Sequence, residues 1–231
     1  LAINKFTSVM GTSAARKAPR GRGWRQAKAA ASRYLAPDGG QAVAAGEVVR
    51  RYLLAVAGAV PTLEGGLAAA FGLTRRVAQD LGHFWQHNPK GTVTKEAATL
   101  EAHVLAQRWL PPAGDLEWAA ARTALVAVLQ EHLAAGAGGR EIPGAAEVVR
   151  DFLARTVSLR LYLDLGEALE AAAWGAADLQ AGQEAFTQAA AQGLAVSASP
   201  EPENWLQFPG WLWVSRSLAG LLTISEAKSG P

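Results

Sequence analysis

His83 and His87 stand four residues apart in GHFWQH, a spacing that turns both rings to one face of a helix. Two imidazoles could begin a zinc site, but the stretch lacks the glutamate that a zinc hydrolase carries between them. With no cysteine in the chain, thiolate sites are excluded as well. These two therefore read as ordinary surface or core histidines, and so do His103 and His132 within Glu-bearing helices. The glycines of GRG (21–23) and AGAGG (135–139) lack the surroundings of a phosphate-cradling loop. Ser13 in GTS has no nucleophile elbow around it. Glu64, Asp80, Glu117, Glu131, Asp164 and Glu167 are scattered, and the pairs Asp164/Glu167 and Glu167/Glu170 read as solvated helix faces. The chain is expected to be non-enzymatic, with no metal and no cofactor.

Charge is distributed far less evenly than carboxylates. The stretch VMGTSAARKAPRGRGWRQAKAAASRYL (9–35) holds seven of the 22 basic residues and no acid. Residues 1–60 carry ten Lys/Arg against two acids, and residues 61–231 carry twelve against eighteen. A basic head on an acidic body suits an anionic target, either a partner or the body itself. Arg16, Lys17, Arg20, Arg22, Arg25 and Lys28 surround the single aromatic Trp24, a set able to contact phosphates and stack one base. Nucleic-acid binding is thus one reading of the arm, although no recognisable reading module follows it.

The elements that must position this arm are helical. Ala, Leu, Arg, Gln and Glu dominate the middle of the chain, a helix-favouring mixture, and no sustained alternation marks a strand. Residues 1–23 lack apolar periodicity and are expected to form a disordered or extended arm. The spacing predicts helices over about 24–35, 41–59, 62–87, 94–110, 116–135, 144–174 and 177–192. Ala27, Ala31, Tyr34 and Leu35 share a face of the first, with Trp24 anchoring it. Val43, Val48, Val49, Tyr52, Leu53 and Val56 form the apolar side of the second, with Arg50 and Arg51 at its edge. The seam of the fifth is Leu116, Ala119, Ala120, Thr123, Ala124, Val128 and Leu129. PDGG (37–40), NPKG (88–91) and PP (111–112) break the chain. The expected fold is an all-α multi-helix bundle over 24–196 with a joint at 134–144. An irregular Trp-rich strap over 197–231 follows, either packed down or exposed to a partner. No apolar run reaches the roughly 18 residues of a membrane span, and LAINKFTSV is not a secretory signal. A cytoplasmic protein without membrane contact is expected.

The order MGTSAARKAPRGRGWRQAKAAASRYLAPDGG, then VVRRYLLAVAGA, LEWAAARTALVAVLQEHL (116–133) and VVRDFLARTVSLRLYLDLGEALE (148–170), resembles the QatB-like component of Qat-type bacterial anti-phage systems. The resemblance covers roughly residues 10–175. Members of that family open with Met-Gly-Thr-Ser, which here is Met10, Gly11, Thr12 and Ser13. The nine residues before Met10 depart from the pattern and read as a remnant or an upstream start, and the tail after 195 matches no family feature. The resemblance implies a non-enzymatic component acting beside an ATPase, a QueC-like enzyme and a TatD-like nuclease. It also gives Gly11 a chemical role. Removal of Met10 would expose a glycine amine with a useful neutral fraction at cellular pH, unobstructed by any side chain. A QueC-like enzyme could join that amine to a 7-deazaguanine carboxylate.

Overall fold

The computed structural model describes residues 21–36, 43–59, 67–87, 95–109, 116–137, 144–173, 175–194 and 200–223. Eight α-helices and one short 3-10 turn, with no strand among the described residues, make the protein an all-α multi-helix fold. The helices are α1 (Arg22–Leu35), α2 (Ala45–Ala59), α3 (Ala68–His87), α4 (Lys95–Trp109), α5 (Leu116–Ala137), α6 (Ala145–Ala172), α7 (Ala176–Gly193) and α8 (Phe208–Leu222); the 3-10 turn is Pro202–Asn204.

α6 is the axis of the molecule. Its 28 residues span about 42 Å, and α1, α2, α3, α5 and α7 all pack against it. Thr156, Val157, Ser158, Leu159, Arg160, Leu161 and Tyr162 are buried in succession, so for nearly two turns every side of the helix is covered. Its polar members find partners. Thr156 Oγ1 donates to Phe152 O (2.8 Å), Ser158 Oγ to Gln183 O (3.1 Å), and Arg160 pairs with Asp164. At the helix start, Gly144 N donates to Glu147 Oε2 (3.2 Å), which satisfies one of the groups a helix N-terminus leaves open. α4 packs chiefly on α5 and lightly on α3, and leaves Leu100 and Val104 exposed.

Several sequence expectations need correction. Arg22 and Gly23, assigned to the arm, are already helical. Thr123, placed in the α5 seam, is exposed, and its Oγ1 donates to the Ala119 carbonyl one turn back (2.9 Å), so its hydroxyl is satisfied within its own helix on the solvent side. Residues 134–137, expected to open a joint, continue α5, since the Ala and Gly there keep their helical hydrogen bonds; 138–143 lie outside the described residues. The Asp164 side chain is nearly excluded from solvent rather than solvated.

The largest correction concerns the C-terminal segment. Phe208–Leu222 is a regular helix and not an irregular strap. Pro202 and Pro209 each fall in the first turn of a helical element, where no backbone N–H is required, so the prolines start these elements rather than break them. Trp205 and Trp213 are buried edge-to-face at 5.1 Å, whereas Phe208 and Trp211 stack at 5.7 Å on the outside. The bend between the 3-10 turn and α8 is held from α3. Arg75 Nε donates to Trp205 O (2.9 Å), and Nη2 donates to Leu206 O and to Gln207 O (3.1 Å). That bend presses Trp205 onto Gly210, where a Cβ would collide with the Trp205 carbonyl.

Charged side chains fasten α5 to α6. His132 Nε2 meets Asp151 Oδ2 at 3.0 Å, Arg150 reaches the other oxygen at 2.9 Å, and Arg155 grips Glu131 through both oxygens at 2.8 Å. On α2, Arg50 and Arg51 converge on the buried Glu47. Burial works against the Asp151 charge, but the bonds from His132 and Arg150 outweigh it and hold the carboxyl below its ordinary range. The Arg50 hydrogen bond, joined by Arg51, lowers Glu47 despite burial.

Two predictions follow from this packing. Gly210→Ala should destabilise the protein by about 3 kcal/mol or more, because the clash is with backbone that cannot move aside. Gly166→Ala, at an open position within α6, should instead stabilise it by about 0.5–1 kcal/mol. Urea unfolding midpoints measure both. The lowered carboxyls contribute stability that is full above the unfolded carboxylate range of about 3.9–4.3 and lost as pH falls through their folded values. Glu47→Gln and Asp151→Asn should therefore lower stability most near neutrality, with the gap to wild type closing as the pH drops below 4, as read from urea titrations at stepped pH.

Candidate interaction face of the first helix

The chain enters the described structure at Gly21, whose φ of 133° is a conformation that L side chains rarely adopt. The turn there sets the direction of α1. Two residues on, Gly23 lets α1 approach α2 closely, since a Cβ would stand 3.3 Å from the Ala55 backbone. The two glycines of GRG thus serve a positive φ at the helix start and a close helix contact.

α1 buries Trp24, Ala27, Ala30 and Ala31. Trp24 is 8% exposed and meets Tyr52 edge-on at 5.9 Å. Behind it, Tyr52 Oη donates to Asp164 Oδ2 (2.9 Å), and Asp164 pairs with Arg160 at 3.5 Å. Burial foremost, then the Asp164 charge, pushes the Tyr52 phenol well above its usual value, so it stays a neutral donor. At the far end of α1, Ser32 Oγ donates to Ala168 O (3.3 Å) and Tyr34 packs on Phe186 (4.9 Å). The Phe186 ring also meets Tyr162 at 5.9 Å, and the Tyr162 hydroxyl donates to Leu179 O (2.6 Å). α1 is consequently held at both ends, on α2 and α6 and on the aromatic cluster beside α7.

The opposite side of α1 is cationic. Arg22, Arg25 and Arg33 are exposed, Lys28 is half-buried at the edge, and the helix contains no acid. At about 100° per residue, Arg22, Arg25 and Arg33 fall within roughly a quarter-turn of one another, with Ala29 between them. None of the ion pairs among the described residues involves these three arginines.

Of the contact set read from the sequence, the structure brings Arg22 and Arg25 to this face and leaves Lys28 at its margin. Trp24 is removed from the set. A ring enclosed by α2 cannot stack on a base. Arg33 was missed, although its place eleven residues after Arg22, three helical turns on, was visible in the spacing. Met10, Gly11, Thr12, Ser13, Arg16, Lys17 and Arg20 lie outside the described residues, as do the side chains of His83 and His87. His103 is exposed and its Nδ1 lies 2.8 Å from Thr99 O, while His132 belongs to the α5–α6 ion pair. Among the described residues, no group of three or more His, Asp or Glu side chains is placed to hold a metal ion, and no helix is long and apolar enough to cross a membrane. Comparison with known protein families, curated proteins and solved structures finds no match to this chain.

Because Trp24 pins the helix, Trp24→Ala should cost about 3–5 kcal/mol and speed trypsin cleavage after Arg22 and Arg25. Replacement of the edge residue, Lys28→Ala, should leave cleavage at those arginines unchanged. Limited proteolysis followed by mass spectrometry reads both outcomes.

Proposed function

We propose that the protein is the non-enzymatic, QatB-like component of a bacterial anti-phage defence complex, an adaptor that is also the substrate of a QueC-like partner. The observation that carries this reading is the ordered sequence resemblance from MGTS through the Trp24 helix to the segments at 116–133 and 148–170. Those two segments are α5 and the larger part of α6, which pack on one another, so the similar stretches would belong to one structural unit.

In this proposal the mature chain starts at Gly11. The QueC-like enzyme activates the carboxylate of a 7-deazaguanine as its adenylate. The Gly11 nitrogen attacks that carbonyl carbon, an amide bond forms, the bond to AMP breaks, and the amine gives up a proton. Thr12, Ser13, Ala14 and Ala15 are small enough to follow the glycine into a narrow site. Gly11 precedes the anchored turn at Gly21 by ten residues, a tether that extends at most about 35 Å. That reach allows the amine to enter a partner's active site while α1 stays on the body. An ATPase and a TatD-like nuclease complete the assembly that the resemblance implies.

The test is the intact mass of protein beginning at Met10 and co-expressed with its QueC-like partner. The expected result is loss of methionine and gain of one 7-deazaguanine acyl group at Gly11. Gly11→Pro should lose the adduct while keeping its helical circular dichroism. An unmodified Gly11 under conditions where defence is active would remove the proposed substrate role.

A further inference from the structure

We propose that the outward stripe of α1, formed by Arg22, Arg25 and Arg33, is a docking track for the phosphate backbone of nucleic acid. This inference stands on the geometry of α1 alone and does not depend on the family resemblance.

Three observations carry it. The first is charge left for an external partner. All three guanidiniums are exposed, α1 contains no acid, and the ion pairs among the described residues are made by other cations. Elsewhere in the molecule, Arg50, Arg51, Arg150, Arg155 and Arg160 are paired with carboxylates, while Arg76, Arg108 and Arg216, exposed and in none of these ion pairs, stand singly on α3, α4 and α8. The second is shape. The stripe is straight and about 16 Å long, close to half a turn of a DNA duplex. Between the arginines the outward surface holds Gln26 and Ala29, an uncharged amide able to donate to a phosphate oxygen and a methyl. Planar guanidiniums suit phosphate oxygens better than ammonium groups do, and all three cations of the stripe are arginine. The third is rigidity. Trp24, Ala27, Ala30 and Ala31 fix the helix on the core, so the three charges are presented in register without a further ordering cost.

Nucleic acid fits this face better than an acidic protein does. Protein interfaces depend on buried aromatic or aliphatic anchors, and here the only apolar surface between the arginines is the Ala29 methyl. The mode of binding follows from Trp24 as well. With Trp24 committed to Tyr52 and Tyr34 packed on Phe186, neither ring of α1 is offered as a stacking platform, so recognition is of phosphates and is independent of base sequence.

The experiment is fluorescence anisotropy of a short mixed-sequence DNA duplex, titrated with the full chain at stepped salt concentrations. R22Q/R25Q/R33Q is compared with the charge-matched control R76Q/R108Q/R216Q, three exposed arginines on three other helices. The expected result is binding whose log–log salt slope falls by about 3 in the stripe variant and is unchanged in the control. A duplex of different sequence should bind equally. Circular dichroism identifies any variant that has lost its fold, and the three single substitutions, each expected to lower the slope by about 1, then replace it. No binding at low salt, equal losses in the two triple variants, or displacement of DNA by polyglutamate as readily as by unlabelled duplex would overturn the proposal.

Discussion

A helix covered on every side has to satisfy its polar groups from within the protein, and α6 is such a helix between Thr156 and Tyr162. Arg160 and Asp164, one turn apart and both nearly excluded from solvent, form the charged centre of that solution. Tyr52 brings α2 to the same carboxylate, and Trp24 brings α1 onto the Tyr52 ring. Three helices are therefore registered by a single buried carboxylate. A buried ion pair adds little net stability relative to well-packed apolar residues, yet removing one partner leaves an uncompensated charge and costs about 3–5 kcal/mol. The arrangement thus contributes more to position than to stability. It fixes where α1 lies, and hence where its arginines point.

Around that centre the interaction types divide by location. The inner faces of α1, α2 and α7 pack through Ala, Val, Leu and aromatic side chains, and small residues let the backbones approach closely at Gly23 and Ala55. The junction of α5 with α6 is trimmed by His132–Asp151–Arg150 and Arg155–Glu131, partly exposed contacts of modest strength. The C-terminal helix is joined differently again. Arg75 donates to three successive carbonyls, which holds the bend that buries Trp205. That bend also brings Leu206, Phe208 and Trp211 to the surface.

Four acidic residues of the body, Glu47, Glu131, Asp151 and Asp164, are held in its own ion pairs. The basic face of α1 is not absorbed in this way. Its arginines stand over a helix whose inner surface is almost entirely alanine and tryptophan, so the charge faces outward and the attachment is apolar. This separation leaves α1 able to meet an anionic partner without disturbing what holds it to the core.

Much of this fold was legible in the sequence because local forces write it there. Helix-favouring composition and a 3.6-residue apolar period located α1, α2 and the long stretch of α6. They also identified the buried face of α2 at Val48, Val49, Tyr52, Leu53 and Val56, and the role of Trp24 as an anchor. Periodicity reports one apolar side of a helix, however, and cannot tell a charge on a solvated face from a charge enclosed by a distant element. Asp164 read as solvated because its decisive partner, Tyr52, is 112 residues away in sequence. The segment after 197 was expected to be irregular, while the positions of Pro202 and Pro209 in first turns make them compatible with helix. Which tryptophans are buried, and which side of α1 is turned outward, followed from packing. Burial is a property of the assembled core, whereas the sequence by itself determines only the pattern that each segment offers to it.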